Sequence, residues 1–292
     1  MDYLLHLTIL ITLYIPLALT QNLLLGYLGI LYLAHPAIYG IGAYTFAILT
    51  TKYAVAFLPA LLTGGFIAMI AGFILSLPAL KLKSHYIGMT TLAFLIIING
   101  LMINLRDLTR GALGIPGIPK PEILGYTFSS NISFLMLSLG FCIIFGIILY
   151  KILHSPFAKV IEAIREDETA AKTIGKNSAK YKIQAFLITA FFGGIGGGLM
   201  TSYLGFINPW NFHTEELVIV LAMVVVGGMA SFWGSILGAF IIILLPEPLR
   251  FVQLPAEVVG ALRYGIYGLL IILCMIYKPA GLLGKRSNIF SK

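Results

Sequence analysis

The sequence predicts an all-α, polytopic membrane protein, with a single transmembrane domain over residues 1–292. Three observations carry that prediction. Hydrophobic residues make up 59% of the chain and charged residues 10%, against roughly 45–50% and about 25% in soluble domains. The charges are also clustered, so that residues 4–51, 53–80, 84–105, 123–150, 183–214 and 217–246 carry none. Each of these runs exceeds the ~20 residues a helix needs to cross the hydrocarbon. The alternating segments of about ten residues that mark a transmembrane β-barrel are missing. A water-soluble enzyme is thereby excluded.

Run 4–51 has twice the length of one span, and Gly26, Gly29 and Pro36 offer breaks in it. Helices are expected near 4–25 and 27–50. Further spans follow near 55–78, 86–105, 132–150, 183–206 and 260–278. Run 217–249 is too long for one upright span and holds Gly227, Gly228, Gly234 and Gly238 in its middle. Two short passes or a re-entrant hairpin are expected there, with the glycine-rich middle facing the protein interior, because irregular backbone at membrane depth needs a protein or aqueous neighbour. The count is about nine crossings. A cytoplasmic C-terminus and an outer N-terminus place thirteen of the nineteen basic residues inside, as the positive-inside rule requires. The net charge of +8 is thus accounted for by the bilayer, and no nucleic acid partner is implied. Met1-Asp2-Tyr3 lacks the basic start of a signal peptide, so the first apolar segment is read as a retained helix. Cys142 and Cys274 lie in apolar runs and are read as packed thiols.

A weak internal similarity links LAHPAIYGIGAY (33–44) to MASFWGSILGAF (229–240). Duplicated broken helices point to a transport path, although small residues at helix contacts give the same pattern.

The coupling segment is 151–182, with HSPFAKVIEAIREDETAAKTIGKNSAKYK at 154–182. Ser155 and Pro156 form a helix start, and Gly175 is placed for a left-handed cap. Phe157, Val160, Ile161, Ile164, Ala171 and Ile174 recur at helical spacing, giving one amphipathic helix or two joined at Glu166-Asp167-Glu168. Such a helix either rests on lipid headgroups or docks in a partner's groove. The acidic cluster favours a protein over an anionic surface.

EAIREDETAAKTIG (162–175) resembles the cytoplasmic loop of ATP-binding cassette importer permeases, whose signature is Glu-Ala-Ala, three residues, then Gly. Ala170, Ala171 and Gly175 match, while Thr169 replaces the glutamate and Glu168 stands one place earlier. The resemblance is closest to the branched-chain amino acid permease family, in particular its LivM-type half. It extends through GIGAYT (40–45), TLAF (91–94), LTRGALGIPGIPKP (108–121), YKIQAF (181–186), VVGGMASFWGSILGA (225–239), LPEPLR (245–250) and KPAGLLG (278–284). Departures occur at Arg110, at Leu113 and in Tyr32-Leu33-Ala34-His35-Pro36. The resemblance implies uptake of branched-chain amino acids through the cell membrane. It also implies a second homologous permease subunit, two cytoplasmic ATPases and an extracytoplasmic binding protein. Glu162, Arg165, Glu166, Asp167, Glu168, Ala170, Ala171 and Gly175 are then the ATPase-coupling residues. Urea, short-chain amides or other amino acids remain alternative cargoes on the same scaffold. An ion-coupled carrier would want a mid-span carboxylate, and none is expected.

No phosphate-binding loop of the form G-x-x-x-x-G-K-[ST] occurs, so no ATPase site of its own is expected, nor any cofactor. His6, His35, His85, His154 and His213 are scattered rather than spaced for a metal. Candidates for the substrate path are His35, Thr90, Thr91, Glu216, Gly227, Gly228, Ser231 and Gly234. Each has a plainer role: a neutral imidazole bonded to a neighbouring helix, hydroxyls bonded between helices along with Asn99 and Asn104, a solvated outer carboxylate, or close helix packing. Arg263 is expected to snorkel or to pair with Glu257. Leucine at Ala222 is expected to be milder than leucine at Gly228 or Gly234.

Overall fold

The computed structural model describes residues 2–82, 84–248 and 256–284. Lys83, Arg250, Lys285, Arg286 and Lys292 of the charge distribution, His85 and the expected Glu257 partner of Arg263 lie outside the described residues and side chains. The helices are α1 (Asp2–Asn22), α2 (His35–Lys52), α3 (Phe57–Lys81), α4 (Ser84–Asn104), a short α5 (Arg106–Thr109), α6 (Asn131–Leu153), α7 (Pro156–Glu166), α8 (Glu168–Thr173), α9 (Ser178–Leu204), α10 (Thr214–Gly227), α11 (Phe232–Leu244) and α12 (Ala256–Tyr277). Seven described helical stretches are long and apolar enough to cross a membrane. The break expected in run 217–249 is present, and α10 and α11 are the short arms of a hairpin.

The core is built on glycine. α9 carries Gly193, Gly194, Gly196, Gly197 and Gly198 and lies parallel to α2 and antiparallel to α3, with Gly194 set against Gly42 and Gly64. A methyl group on Gly194 would stand 3.0 Å from the Gly64 carbonyl and 3.2 Å from Gly65 Cα. Lipid supplies no hydrophobic drive between helices, so such backbone approach is the main source of packing energy. α4, α6 and α12 form the rim, exposing Ile96, Met136, Ile143 and Ile276, as lipid-facing or partner-facing helices do.

One expected helix is corrected. Instead of running from 27, the second helix begins at His35. α1 ends in a π-helical turn, Leu23–Tyr27, and residues 28–34 are unwound. Gly29 has φ +72°, which an L side chain resists, and Pro36 lies at the start of α2, where its missing N–H costs nothing. The freed backbone is satisfied from neighbouring helices: Gln21 Nε2 donates to Tyr32 O (2.8 Å), and Leu33 N donates to Thr91 Oγ1 (3.1 Å).

At the opposite end from α7, the connection between α4 and α6 is held by two short ladders. β1 (Ile115–Pro116) pairs antiparallel with β4 (Phe206–Ile207), and β2 (Glu122–Ile123) pairs with β3 (Tyr126–Thr127).

Candidate functional site

The coupling segment forms two helices, α7 and α8, joined at Asp167. Asp167 leaves the helical region and caps α8, accepting from Thr169 N (2.8 Å) and Ala170 N (3.0 Å). Ser155 departs from expectation: it occupies the N-cap of α7, but its hydroxyl donates back to Ile152 O (2.7 Å). Gly175 has the expected left-handed backbone, φ +78°, and its N–H closes the turn onto Lys172 O (3.0 Å).

Ala158, Ile161, Ile164 and Ala171 are buried against the bundle. Ile174, read from periodicity as part of that stripe, is 69% exposed instead. It is the C-cap residue, one place beyond the end of α8. Glu166, Asp167, Ala170 and Gly175 are exposed as well, along with Lys159 and Lys172, so the outward surface of the unit carries charges of both signs and an apolar tip.

Glu168 is used internally. It meets Lys182 Nζ (2.6 Å) and Lys172 Nζ (3.1 Å) and accepts from Ser178 Oγ (2.8 Å), tying α8 to α9. Partial burial works to raise its carboxyl, yet the hydrogen bonds from Lys182, Ser178 and Lys172 outweigh it and bring the pKa down to about 2. Arg165 turns inward: Nη1 donates to Gly26 O, and its aliphatic stem covers Gly29. Glu162 lies within electrostatic reach of Tyr27.

The end of α1 links this unit to both helix breaks. Thr20 Oγ1 bonds His35 Nε2 (3.1 Å), and Gln21 holds the 28–34 segment. Asn22 holds the α10–α11 bend, with Nδ2 donating to Ser235 Oγ (2.7 Å) and Ser231 O (3.0 Å) while Oδ1 accepts from Ala230 N (3.0 Å). Ala230 itself sits at φ +54°, a strained position sustained by that bond. These three α1 residues escaped the sequence reading, although three consecutive polar side chains closing an apolar run were the visible signal.

The expected path residues fall at three separate places. His35 and Thr91 hold the first break, both as hydrogen-bonded structural groups. Thr90 bonds Tyr86 O of its own helix (2.9 Å). Gly227, Gly228, Ser231 and Gly234 form the second break, where they face the interior as expected. There Gly234 N donates to Ser231 Oγ (3.0 Å), and a methyl group on Gly228 would stand 2.8 Å from Gly284 Cα. Ala222 is fully buried, so leucine there has to displace packed neighbours as well. Glu216 stands apart, near the other end of α10. The Tyr14 hydroxyl donates to its carboxyl, and its Oε1 has no partner among the described residues. Asn99 Nδ2 donates to Phe212 O close by (2.7 Å).

Long helices packed around two buried breaks, with a charged two-helix unit at one end, make up a polytopic helical membrane protein. Residues 3–275 match the family model described as the branched-chain amino acid transport system permease component, and the chain belongs to that family. It is similar to the high-affinity branched-chain amino acid transport system permease protein LivM of Escherichia coli, 34% identical over 92% of this chain and 67% of that protein. It is 27% identical to a probable LivM of Methanocaldococcus jannaschii, over 78% of this chain and 68% of the relative. The permease protein LivH of Escherichia coli is 23% identical over 93% and 91% of the two chains. No solved structure matches.

Proposed function

We propose that this chain is one of two related permease subunits of an ATP-driven importer and forms part of the membrane path for branched-chain amino acids. The second subunit is a homologue of the LivH kind. Two cytoplasmic ATPases dock on the exposed face of α7 and α8, and an extracytoplasmic binding protein delivers the cargo to the opposite end. This chain contributes no ATPase site. Nine crossings, counting the short α10 and α11, put the N-terminus outside and the C-terminus in the cytoplasm; the bias of basic residues toward the α7 side supports that orientation.

The observation that carries the coupling role is the Arg165 bond to the open carbonyl of Gly26. Movement of α7 under a closing ATPase pair is passed through that bond to the unwound end of α1. From there Thr20, Gln21 and Asn22 pass it to both breaks. Packed helices respond to such a push by shifting as bodies between discrete arrangements.

The test is co-expression with the neighbouring ATPase, second permease and binding-protein genes. An ATPase that co-purifies, and ATP-dependent leucine uptake competed by isoleucine and valine but not by urea, support the reading. Uptake that proceeds without ATP, or competition by urea alone, overturns it.

A further inference from the structure

At the end of the bundle remote from α7, the N-terminal half of α1, the distal ends of α10 and α11 and the start of α12 enclose a cavity of about 360 Å³. That size lies at the lower end for small-ligand sites. Leu10, Ile219 and Ile243 form an apolar wall, and Glu247 and Arg263 face the same space beside Tyr14 and Tyr267. Both charges lie within electrostatic reach of Tyr267. Among the described residues they nevertheless form no ion pair with one another, and Arg263 Nε is buried without a hydrogen-bond partner. Glu216 adds a second carboxylate behind Tyr14.

Partly buried opposite charges gain most when they are bridged, because each left alone carries a desolvation cost. A small molecule with a cation and an anion on one carbon, and an aliphatic tail, satisfies every wall of this cavity. We propose that it is a zwitterion site for an amino acid. Arg263 takes the α-carboxylate, in the fork geometry that guanidinium offers, and Glu247 takes the α-ammonium. Leu10, Ile219 and Ile243 receive the side chain. The site rests on the importer reading and adds to it where on this chain the cargo is held.

The test uses the complete importer in proteoliposomes. A cysteine at Ile243→Cys is labelled from solution, and the modified position is read by mass spectrometry. Leucine is expected to slow labelling at least threefold, whereas 4-methylpentanoate, which lacks the ammonium, and isopentylamine, which lacks the carboxylate, leave it unchanged. Arg263→Gln and Glu247→Gln are expected to lower leucine uptake at least tenfold with ATPase co-purification intact, and Arg263→Lys to recover part of it. Leucine uptake by the unmodified importer reports separately on the importer reading. With that uptake present, labelling indifferent to leucine, or unchanged uptake in both charge variants, overturns the site.

Discussion

The two helix breaks, at 28–34 before α2 and at 228–231 before α11, occupy matching positions in the two weakly similar segments and are stabilised by different chemistry. The first carries large side chains, with Tyr32 and His35 buried, and is held by Gln21, which donates to Tyr32 O, and by Thr91, which accepts from Leu33 N and donates to Leu31 O. The second is a tight turn of small residues with backbone against backbone. There one side chain, Asn22, serves three partners in the bend. Side-chain volume fills the first break, so losing one hydrogen bond leaves it packed. The second has no slack, and its stability depends on the absence of Cβ atoms and on one amide. Both hang from consecutive residues of α1, whose open end Arg165 holds.

The largest expected effect is therefore at the second break. Gly228→Leu puts a side chain at φ +133° into the Leu283 and Gly284 backbone. A loss above about 4 kcal/mol is expected, seen as disappearance of the folded protein from the membrane fraction; wild-type levels would show that the bend is loosely packed. Asn22→Leu comes next, at roughly 2–4 kcal/mol, from several interhelical bonds and the backbone groups left unpaired. The check is the thermal unfolding midpoint of the purified protein, and a shift no larger than that of the first-break variant would dissolve the contrast. Thr91→Val removes one partner from Leu33 N, at about 1 kcal/mol. Thr90→Val, one residue away, is expected to change the midpoint by less than the measurement error.

A further effect lies outside both breaks. The Glu168 carboxyl sits below its ordinary value of 4.5, at about 2. Its contribution to joining α8 and α9 is thus fully present above the ordinary carboxylate pKa and is lost as pH falls from about 4.5 toward 2. Protection of 168–178 in hydrogen exchange is expected to be flat from pH 5 to 8 and to drop below that window, while Glu168→Gln makes it pH-independent. A drop already at pH 6 would point to another group.

Much of this was legible in the chain. Charge-free runs located the long helices, the glycines of 227–238 located the buried bend, and the charged segment 154–182 located the two-helix unit with its cap at Gly175. Periodicity misplaced Ile174, because α8 ends at Thr173 and helical spacing does not extend to the C-cap residue beyond it. It also carried the second helix through 28–34, because apolar composition does not distinguish a helix from unwound backbone whose polar groups are satisfied by other helices.

The sequence by itself determined the class, the element order and the family, since hydrophobic length and motif spacing are local properties of the chain. The tertiary structure alone decided which polar residues act together. Arg165 and Gly26, and Asn22 and Ala230, are each far apart in sequence. Their meeting depends on how glycine-faced helices stack, and no one-dimensional pattern encodes that stacking.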